Sequence, residues 1–264
     1  MSGVPETTLW PLYSRAAEAR RATPRLRDAE AERIVATIDY DFEKRFGKAN
    51  LFRVLRTLVL DRMVRSWIDR NPNGTVVALG EGLETQFTRV DNGRVRWLSI
   101  DLPEVIEVRR QILSDNDRHR NLAISALDFG WMDEVDPHAP VFVTAAGLLM
   151  YFDPDDVSKL IATIAQRFPT AELAFDVLPR WFSQKTRRGW KTTRHYTPPV
   201  MPWALNRDEL AQIKQWHPHI AELAELPMPQ DKTSLYMFLF NLFHSLPWLS
   251  DRTPAMIHLV CRPA

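Results

Sequence analysis

The residues best suited to chemistry lie in two short segments, each at the end of a β-rich run. A strand pattern at 76–79 leads into a Gly-Glu-Gly tripeptide at 80–82, and a second strand pattern at 95–100 ends at Asp101. Glycines let the main chain turn sharply beside a ligand, and a carboxylate after the next strand can accept hydrogen bonds from a ribose diol. The spacing predicts a nucleoside site, although the glycine turn alone would also fit an ordinary strand-to-helix turn.

The charge of the glycine turn narrows the choice of nucleoside. A dinucleotide site needs a small residue where the helix meets the pyrophosphate, and this chain has Thr85 there. Glu81 and Glu84 would repel a diphosphate, whereas they suit a ligand that carries a sulfonium and an ammonium group. We therefore expect S-adenosylmethionine as the cofactor and methyl transfer as the reaction.

Several motifs between residues 11 and 152 share one family pattern. They are PLYSRAAEARR at 11–21, IDYDF at 38–42, LRTLVLDRMV at 55–64, LGEGLETQFTRVD at 79–91, IDLPEVIEVRR at 100–110, SALDFGW at 125–131 and GLLMYF at 147–152. Together they resemble the leucine carboxyl methyltransferase family of class I S-adenosylmethionine-dependent methyltransferases, and within it the bacterial tetracenomycin polyketide O-methyltransferase group. The resemblance implies a Rossmann-like α/β fold with a seven-stranded, mostly parallel sheet, an N-terminal helical cap and a lid insertion.

The resemblance also implies roles for individual residues. Arg56 would pair with the methionine carboxylate, Asp101 would hold the ribose, and Leu127 with Asp128 would flank the adenine. A guanidinium suits a bidentate carboxylate contact, but Arg56 could equally be a solvated helix arginine and Asp128 a turn cap. The expected cofactor contacts are Arg56, Gly80, Glu81, Gly82, Asp101, Leu102, Leu127, Asp128 and Ala145.

One position departs from the family pattern. Members commonly carry an acidic residue in the motif of the fourth strand, where this chain reads Thr-Ala-Ala-Gly at 144–147, and Ala146 occupies the position of that glutamate. An acid there would meet the cofactor amino group or the acceptor. We expect Glu81, Glu84 or main-chain carbonyls to take over the ammonium contact; a protein that binds the cofactor without turnover is the alternative.

Aromatic residues indicate the acceptor side of the site. Methyl transfer is a direct displacement, and only a hydroxyl acceptor requires removal of a proton. No Ser-His-Asp pattern or Lys–Glu pair can be assigned to that task, which favours a carboxyl or acidic hydroxyl on a flat, polyketide-like small molecule. The expected acceptor contacts are Tyr13, Tyr151, Trp190, Tyr196 and Trp203, with Tyr13 and Tyr151 as candidate catalytic residues. Packing in the helical cap is the ordinary role for each ring.

Two other clusters give weaker signals. Basic and aromatic residues alternate at 185–196, a pattern that could bind a phosphate backbone or an acidic small molecule. The 34 basic and 33 acidic residues leave a net charge of +1, so we expect no nucleic-acid partner. His217 and His219 have no evident carboxylate or cysteine partner, so we expect no metal.

The elements that must position these residues alternate from residue 75 onward, as in a doubly wound sheet. Strands are expected at 76–79, 95–100, 122–124, 141–143, 173–175 and 256–261, and helices within 12–38 and 51–68 and at 103–113, 155–168, 208–216 and 231–244. Residues 180–203 have no sustained period and are predicted to be a loop or lid insertion. We expect one domain made of a helical cap (1–72), a cofactor-binding core (73–178), a lid with substrate-side helices (179–255) and a closing strand (256–264).

Two features indicate a cytoplasmic protein with no membrane role. The N-terminus lacks the apolar core of a secretory signal, and no apolar run reaches the roughly 20 residues that span a bilayer. The one cysteine, Cys261, cannot form an internal disulfide.

Three readings compete with small-molecule O-methylation. Carboxyl methylation of a protein or peptide C-terminus uses the same fold, but the short chain and its aromatic lid argue against it. The absence of the family acid at Ala146 suggests a scaffold, a protein that binds the cofactor without turnover. An NAD-dependent oxidoreductase rests on the glycine turn and Asp101 alone.

Overall fold

A computed structural model describes residues 5–229 and 253–263. Within these residues the chain forms a seven-stranded sheet in the order β3-β2-β1-β4-β5-β7-β6. The strands are β1 (Thr75–Leu79), β2 (Arg96–Asp101), β3 (His119–Ala123), β4 (Val141–Ala145), β5 (Glu172–Val177), β6 (Ile220–Glu225) and β7 (Ala255–Cys261). Strands β1 to β5 pair in parallel, and β7 runs antiparallel to both β5 and β6. This confirms the expected Rossmann-like, mostly parallel fold.

The central strands are apolar because helices cover both faces of the sheet. Every residue of β1 and β4 is buried, as expected for parallel strands with no solvated face. The α-helices are α1 (Leu9–Ala19), α2 (Ala29–Thr37), α3 (Phe42–Phe46), α4 (Leu51–Arg70), α5 (Gln86–Val90), α6 (Pro103–Ile112), α7 (Pro154–Arg167) and α8 (Arg180–Arg187). Single turns or short runs of 3-10 helix occupy Pro5–Thr8, Phe129–Glu134, Leu149–Tyr151 and Arg207–Gln215.

The order of the strands sets the position of a ligand. The chain adds β2 and β3 on one side of β1 and then crosses to add β4 on the other side. A crevice therefore opens between the carboxyl ends of β1 and β4, where open α/β sheets bind ligands. Gly80 follows β1 at this edge, and Ala146 follows β4.

A buried ionic network connects the helical cap to this edge of the sheet. Asp28 caps α2 by accepting a hydrogen bond from the amide of Ala31, and its carboxylate also binds Arg15 and Arg89 at 3.0 and 2.8 Å. Arg89 in turn binds Asp61 of α4 at 2.8 Å. Because each buried charge has a partner, the network fixes α1, α2 and α4 against the core.

After residue 179 the secondary structure differs from the expectation in three segments, and one expected helix was not tested. Residues 180–187 form α8 instead of a loop, because the buried face of this helix carries the hydroxyls of Ser183 and Thr186, which give no apolar period. The Ser183 hydroxyl donates to the carbonyl of Met201 at 2.7 Å. The expected helix at 208–216 is a 3-10 run. Strand β6 was missed because its two acids, Glu222 and Glu225, are three residues apart, which breaks the two-residue period of a strand. The expected helix at 231–244 lies outside the described residues.

Trp203, expected to contact the acceptor, packs in the main core instead. Its side chain is 2% exposed, and its ring lies 6.4 Å from that of Phe175 on β5. It belongs to the same core cluster as Phe175 of β5 and Ile257 of β7, so it is buried although it follows a proline-rich segment. Its expected role as an acceptor contact is therefore wrong.

We predict that Trp203→Ala lowers the free energy of unfolding by about 3–5 kcal/mol, because it leaves a cavity in a packed core. Urea unfolding followed by circular dichroism measures this loss. Trp181→Ala is the matched control, since that ring is 45% exposed, and its effect should stay within about 0.5 kcal/mol. Equal losses in the two variants would contradict the core position of Trp203.

Candidate active site

A cavity of about 710 Å³ lies at the carboxyl ends of β1, β4 and β5. Leu79 and Gly80, Thr144 and Ala146, and Asp176 form its floor, one group from each strand. The 3-10 turn Pro5–Thr8, helices α1, α4 and α8, and the segment after α8 form its walls. A cavity of this volume falls within the range of small-molecule sites, which is about 300–1,000 Å³.

Gly80 and Gly82 both adopt the left-handed conformation, with φ of 58°. A Cβ on Gly80 would lie 2.5 Å from a methyl carbon of Leu148, and one on Gly82 would lie 2.8 Å from a methyl carbon of Thr8. The turn therefore requires glycine at both positions for its backbone conformation and for the close approach of the chain's own side chains. Both glycines line the cavity, as expected of residues beside a ligand.

Arg109 of α6 holds the main chain of this turn. Its Nη1 donates to the carbonyl oxygens of Gly82 and Glu84 at 2.8 and 2.7 Å. Its Nη2 lies 3.0 Å from a carboxylate oxygen of Glu81, and both side chains are buried. A charged donor on two carbonyls and one carboxylate gives the turn a single conformation.

The two acids of the turn are neutralised by arginines. Besides Arg109, the indole of Trp97 donates to Glu81, and burial raises the pKa of Glu81. Burial also opposes ionisation of Glu84, but Arg15 and Arg89 lower its pKa to about 2. Neither carboxylate offers a free charge to a ligand. The expectation that Glu81, Glu84 or main-chain carbonyls take over the ammonium contact stays a prediction, with both carboxylates already held in ion pairs.

Asp101 lies at the carboxyl end of β2, beside the glycine turn. One carboxylate oxygen accepts a hydrogen bond from the amide of Gly82 at 2.7 Å, and the other accepts one from the amide of Leu102 at 2.8 Å. Burial raises the pKa of Asp101 despite these two bonds. The carboxylate is held in one orientation and retains lone pairs that can accept further hydrogen bonds.

The other expected adenosine contacts lie outside the cavity wall. Asp128 caps the 3-10 run Phe129–Glu134 by accepting a hydrogen bond from the amide of Gly130 at 3.2 Å. Leu127 packs against the main core, and Ala145 ends β4 with its side chain buried. The large cavity thus includes the expected contacts Arg56, Gly80, Glu81 and Gly82, whereas Asp101, Leu102, Leu127, Asp128 and Ala145 do not line it.

Arg56 projects from α4 into the cavity and pairs with a carboxylate that the sequence reading missed. Its Nη1 lies 2.9 Å from Asp176, the penultimate residue of β5, and the other carboxylate oxygen of Asp176 accepts a hydrogen bond from the amide of Gly147 at 2.6 Å. Ala146 lines the cavity next to this pair. Asp176 therefore brings an acidic side chain close to the position where the family glutamate is absent. An ionisable residue inside the apolar run of β5 is a signal that the sequence did contain.

The expected acceptor residues divide into two groups. Tyr151, Trp190 and Tyr196 line the cavity. Tyr13 instead stacks on Phe42, with ring centres 5.4 Å apart, and it joins Trp203 outside the cavity wall. Tyr13 is therefore not positioned to act on an acceptor in this cavity. Trp10, Phe46 and Arg53 also line it, and the sequence reading assigned them no role.

The tyrosines on the cavity wall are poor bases. Burial raises the pKa of Tyr151 and of Tyr196. Both phenols are therefore protonated at neutral pH, and each can donate a hydrogen bond. Among the described residues of the wall, the carboxylates of Glu81, Glu84 and Asp176 are each paired with an arginine, so none is a free base for a weakly acidic hydroxyl.

The described part of the chain contains no group of three or more His, Cys, Asp or Glu side chains arranged to bind a metal ion. The rings of His217 and His219 lie 4.7 Å apart, and Nδ1 of His219 lies 3.0 Å from the carbonyl oxygen of Ala165. Across the same residues, no helix has the length and apolarity needed to cross a membrane.

Comparison with known proteins identifies the family of this chain. Residues 8–165 match the leucine carboxyl methyltransferase family. The tetracenomycin polyketide synthesis O-methyltransferase TcmP of Streptomyces glaucescens is 31% identical over 184 residues, which cover 69% of this chain and 68% of TcmP. The S-adenosyl-L-methionine-dependent methyltransferase dpfgK of Gibberella zeae is 28% identical over 199 residues, 67% of this chain and 66% of that protein.

Solved structures support the fold. A possible exported protein from Bordetella parapertussis superposes with a TM-score of 0.57 at 15% identity, covering 97% of this chain and 79% of that one. The plantazolicin methyltransferase BamL, in complex with a triazolic desmethylPZN analog and SAH, gives a TM-score of 0.54 at 10% identity and covers 98% of both chains. The sequence matches show that the chain is an S-adenosylmethionine-dependent methyltransferase and belongs to the leucine carboxyl methyltransferase family.

Proposed function

We propose that this enzyme is an O-methyltransferase that acts on a carboxyl or acidic hydroxyl group of an aromatic, polyketide-like small molecule. The observation that carries this proposal is the cavity of about 710 Å³, whose outer wall is built from aromatic side chains and offers no free base. A flat aromatic acceptor can stack on such a wall, and its acidic oxygen needs no assistance to lose a proton. TcmP, the relative that shares 31% identity, is named for O-methylation in polyketide synthesis.

The residues at the sheet edge fit the cofactor. Bound S-adenosylmethionine supplies an electrophilic methyl group on its sulfonium. Arg56 on the cavity wall would bind the methionine carboxylate, and Asp101 would accept hydrogen bonds from the ribose hydroxyls. Leu102, Leu127 and Asp128, at the ends of β2 and β3, would contact the adenosine. The pre-oriented, buried carboxylate of Asp101 is the observation that supports this fit.

Asp176 would perform the task of the missing family acid. It holds Arg56 at 2.9 Å and lies beside Ala146, so one carboxylate would orient the guanidinium and use a remaining lone pair to accept a hydrogen bond from the amino group of the same methionine moiety. Two charged partners at the amino-acid end are expected to bind a zwitterion better than either alone. The departure at position 146 is in this way consistent with a working enzyme.

The acceptor side would orient the substrate and exclude water. Tyr151 is protonated and faces the cavity, so it would donate a hydrogen bond to the acceptor instead of removing its proton. Trp190 would stack on the acceptor ring. Alignment of an already ionised oxygen then provides most of the rate acceleration.

Mass spectrometry of the products tests this function. The purified enzyme is incubated with S-adenosylmethionine and a panel of aromatic carboxylic acids and acidic phenols, and esters or ethers are expected. Methylation on nitrogen or carbon, or methylation of a peptide C-terminus in preference to every aromatic acid, would contradict the proposal. Cofactor binding without turnover on any acceptor would favour the scaffold that Ala146 suggested.

We expect Arg56→Ala to weaken S-adenosylmethionine binding by about 10-fold or more, because charged hydrogen bonds contribute about 1.5–3 kcal/mol. Methylthioadenosine lacks the amino-acid moiety, so its affinity should change little. Isothermal titration measures both. Arg62→Ala, on the exposed side of the same helix, is the matched control. Equal losses for the two ligands would mean that Arg56 has only a structural role.

Asp101→Asn should weaken both of these ligands, since each carries the ribose. A loss of at least about 1.5 kcal/mol is expected from weaker hydrogen bonds to the diol. Asp136→Asn changes an exposed loop aspartate and serves as the control. Unchanged affinity in Asp101→Asn, with the control also unchanged, would contradict the ribose assignment.

Asp176→Asn removes the charge that pairs with Arg56 and should lower the affinity for S-adenosylmethionine by about 10-fold. Ala146→Glu in the Asp176→Asn background restores an acid at the family position, and it should recover most of the loss. Isothermal titration of the single and double variants measures the recovery. If Ala146→Glu gives no recovery, the two positions do not serve the same cofactor group.

A further inference from the structure

Two polar side chains at the open end of the cavity, those of Lys48 and Asn50, have donors that a ligand can reach. Both residues line the cavity; Lys48 is exposed and Asn50 is half-buried. The side-chain oxygen of Asn50 accepts a hydrogen bond from the amide of Phe52 at 2.8 Å, which turns its Nδ2 donors away from that amide. Among the described residues, neither Nδ2 of Asn50 nor Nζ of Lys48 has a hydrogen-bond or ion-pair partner.

Exposure falls along this part of the chain, from the opening of the cavity to its floor. Lys48 is exposed, whereas Thr57, which also lines the cavity, is 4% exposed. Arg56 lies at the buried end and pairs with Asp176 of the floor at 2.9 Å. At about 1.5 Å of rise per residue, Asn50 lies about 9 Å from Arg56 along the axis of α4. Lys48 and Asn50 are therefore near the opening, away from the residues proposed to hold the methionine moiety.

The opening also has aromatic walls. The hydroxyl of Thr193 donates to the carbonyl oxygen of Arg45 at 2.8 Å, which joins the segment before α4 to the segment after α8. Trp190 of the second segment and Phe52 of α4 both line the cavity. The ring of Trp190 is held by Phe182, with ring centres 5.1 Å apart. A flat acceptor that stacks on these rings would extend from the floor to the opening.

The charges at this end of the cavity favour an anion. Each acid in the described part of the cavity wall is paired with an arginine; these acids are Glu81, Glu84 and Asp176. The ammonium of Lys48 therefore has no acid of the wall to neutralise it. A second ammonium is nearby, because Nζ of Lys185 lies 4.6 Å from the ring centre of Trp190. A carboxylate suits an ammonium and an amide donor better than a neutral oxygen does.

We propose that Lys48 and Asn50 bind a second acid group of the acceptor, a carboxylate at the end of the molecule that lies away from the methyl donor. This inference rests on the proposed function, because it names a further group of the aromatic acceptor. The oxygen that is methylated must lie at the floor, beside the cofactor. The donors at the opening therefore bind a different group, and they select a compound with two acid groups over a compound with one.

The test is a binding measurement that does not depend on turnover. Isothermal titration of the full-length enzyme, in the presence of S-adenosylhomocysteine, compares naphthalene-2,6-dicarboxylate with 2-naphthoate. The dicarboxylate should bind at least about 10-fold more tightly, because it alone can reach Lys48 and Asn50 from the floor.

Exchange of Lys48 for a neutral residue should remove this preference. Lys48→Gln should weaken dicarboxylate binding by about 10-fold and leave the affinities for 2-naphthoate and S-adenosylhomocysteine unchanged. Lys44→Gln is the matched control, because it removes the same charge from an exposed side chain that does not line the cavity. The control should leave the affinities for all three ligands unchanged.

A second variant separates binding by Asn50 from its structural role as the cap of α4. Asn50→Asp keeps an oxygen for the amide of Phe52, so the Tm should stay unchanged. It removes the Nδ2 donors and adds a negative charge, so dicarboxylate affinity should fall by at least about 10-fold. Asn50→Ala loses the cap and should lower the Tm by a few degrees.

Four results would overturn the proposal. They are equal affinity of the wild-type enzyme for the two naphthalene acids, equal losses of the two acids in Lys48→Gln, a loss in Lys44→Gln as large as in Lys48→Gln, and unchanged dicarboxylate affinity in Asn50→Asp. Failure of the proposed O-methylation is distinguishable, because it would appear in the product analysis while the preference for the dicarboxylate and its loss in Lys48→Gln remained.

Discussion

The guanidinium of Arg109 binds the glycine turn at the main chain and at a side chain. It donates to the carbonyls of Gly82 and Glu84 and pairs with the carboxylate of Glu81. After β1, Gly80 and Gly82 adopt the left-handed conformation. The carbonyls of the turn then face α6, and the amide of Gly82 faces Asp101. The geometry at the carboxyl end of β1 depends on this one buried cation, because it fixes the loop whose Gly82 amide orients the carboxylate of Asp101.

The same arginine explains why local charge is a poor guide to this cavity. Glu81 pairs with Arg109, and Glu84 pairs with Arg15 and Arg89. The two acids therefore stabilise the turn and add little to the electrostatic field in the cavity. The cofactor expected from the sequence was confirmed by the family, but the electrostatic reason given for it was wrong. Buried acids and bases in a closed network cancel each other's charge.

The two sides of the cavity differ in how their polar groups are satisfied. On the cofactor side, the protein itself binds Asp101, Asp176 and Arg56. On the acceptor side, the indole nitrogen of Trp10 and the hydroxyl of Tyr196 lack partners within the described residues. A site whose polar groups are held in fixed orientations suits an enzyme whose main task is alignment.

The sequence by itself was enough to determine the order of strands and helices in the core, the position of the glycine turn and the acid after β2. These features are local, because strand length, glycine and a carboxylate at a strand end can be read within a few neighbouring residues. The family motifs added Arg56 and the cofactor. Only the tertiary structure decided which aromatic rings reach the cavity. Tyr196 and Trp190 line it, whereas Tyr13 stacks on Phe42 and Trp203 enters the core.

Tertiary structure also decided which charged side chains form ion pairs with each other. The pairs Arg15–Glu84 and Arg56–Asp176 join residues that lie far apart along the chain, and no local pattern links them. The buried face of α8 likewise depends on a distant segment, because the Ser183 hydroxyl donates to the carbonyl oxygen of Met201. Spacing along the chain predicts backbone conformation, but the partner of a side chain depends on which distant segment packs against it.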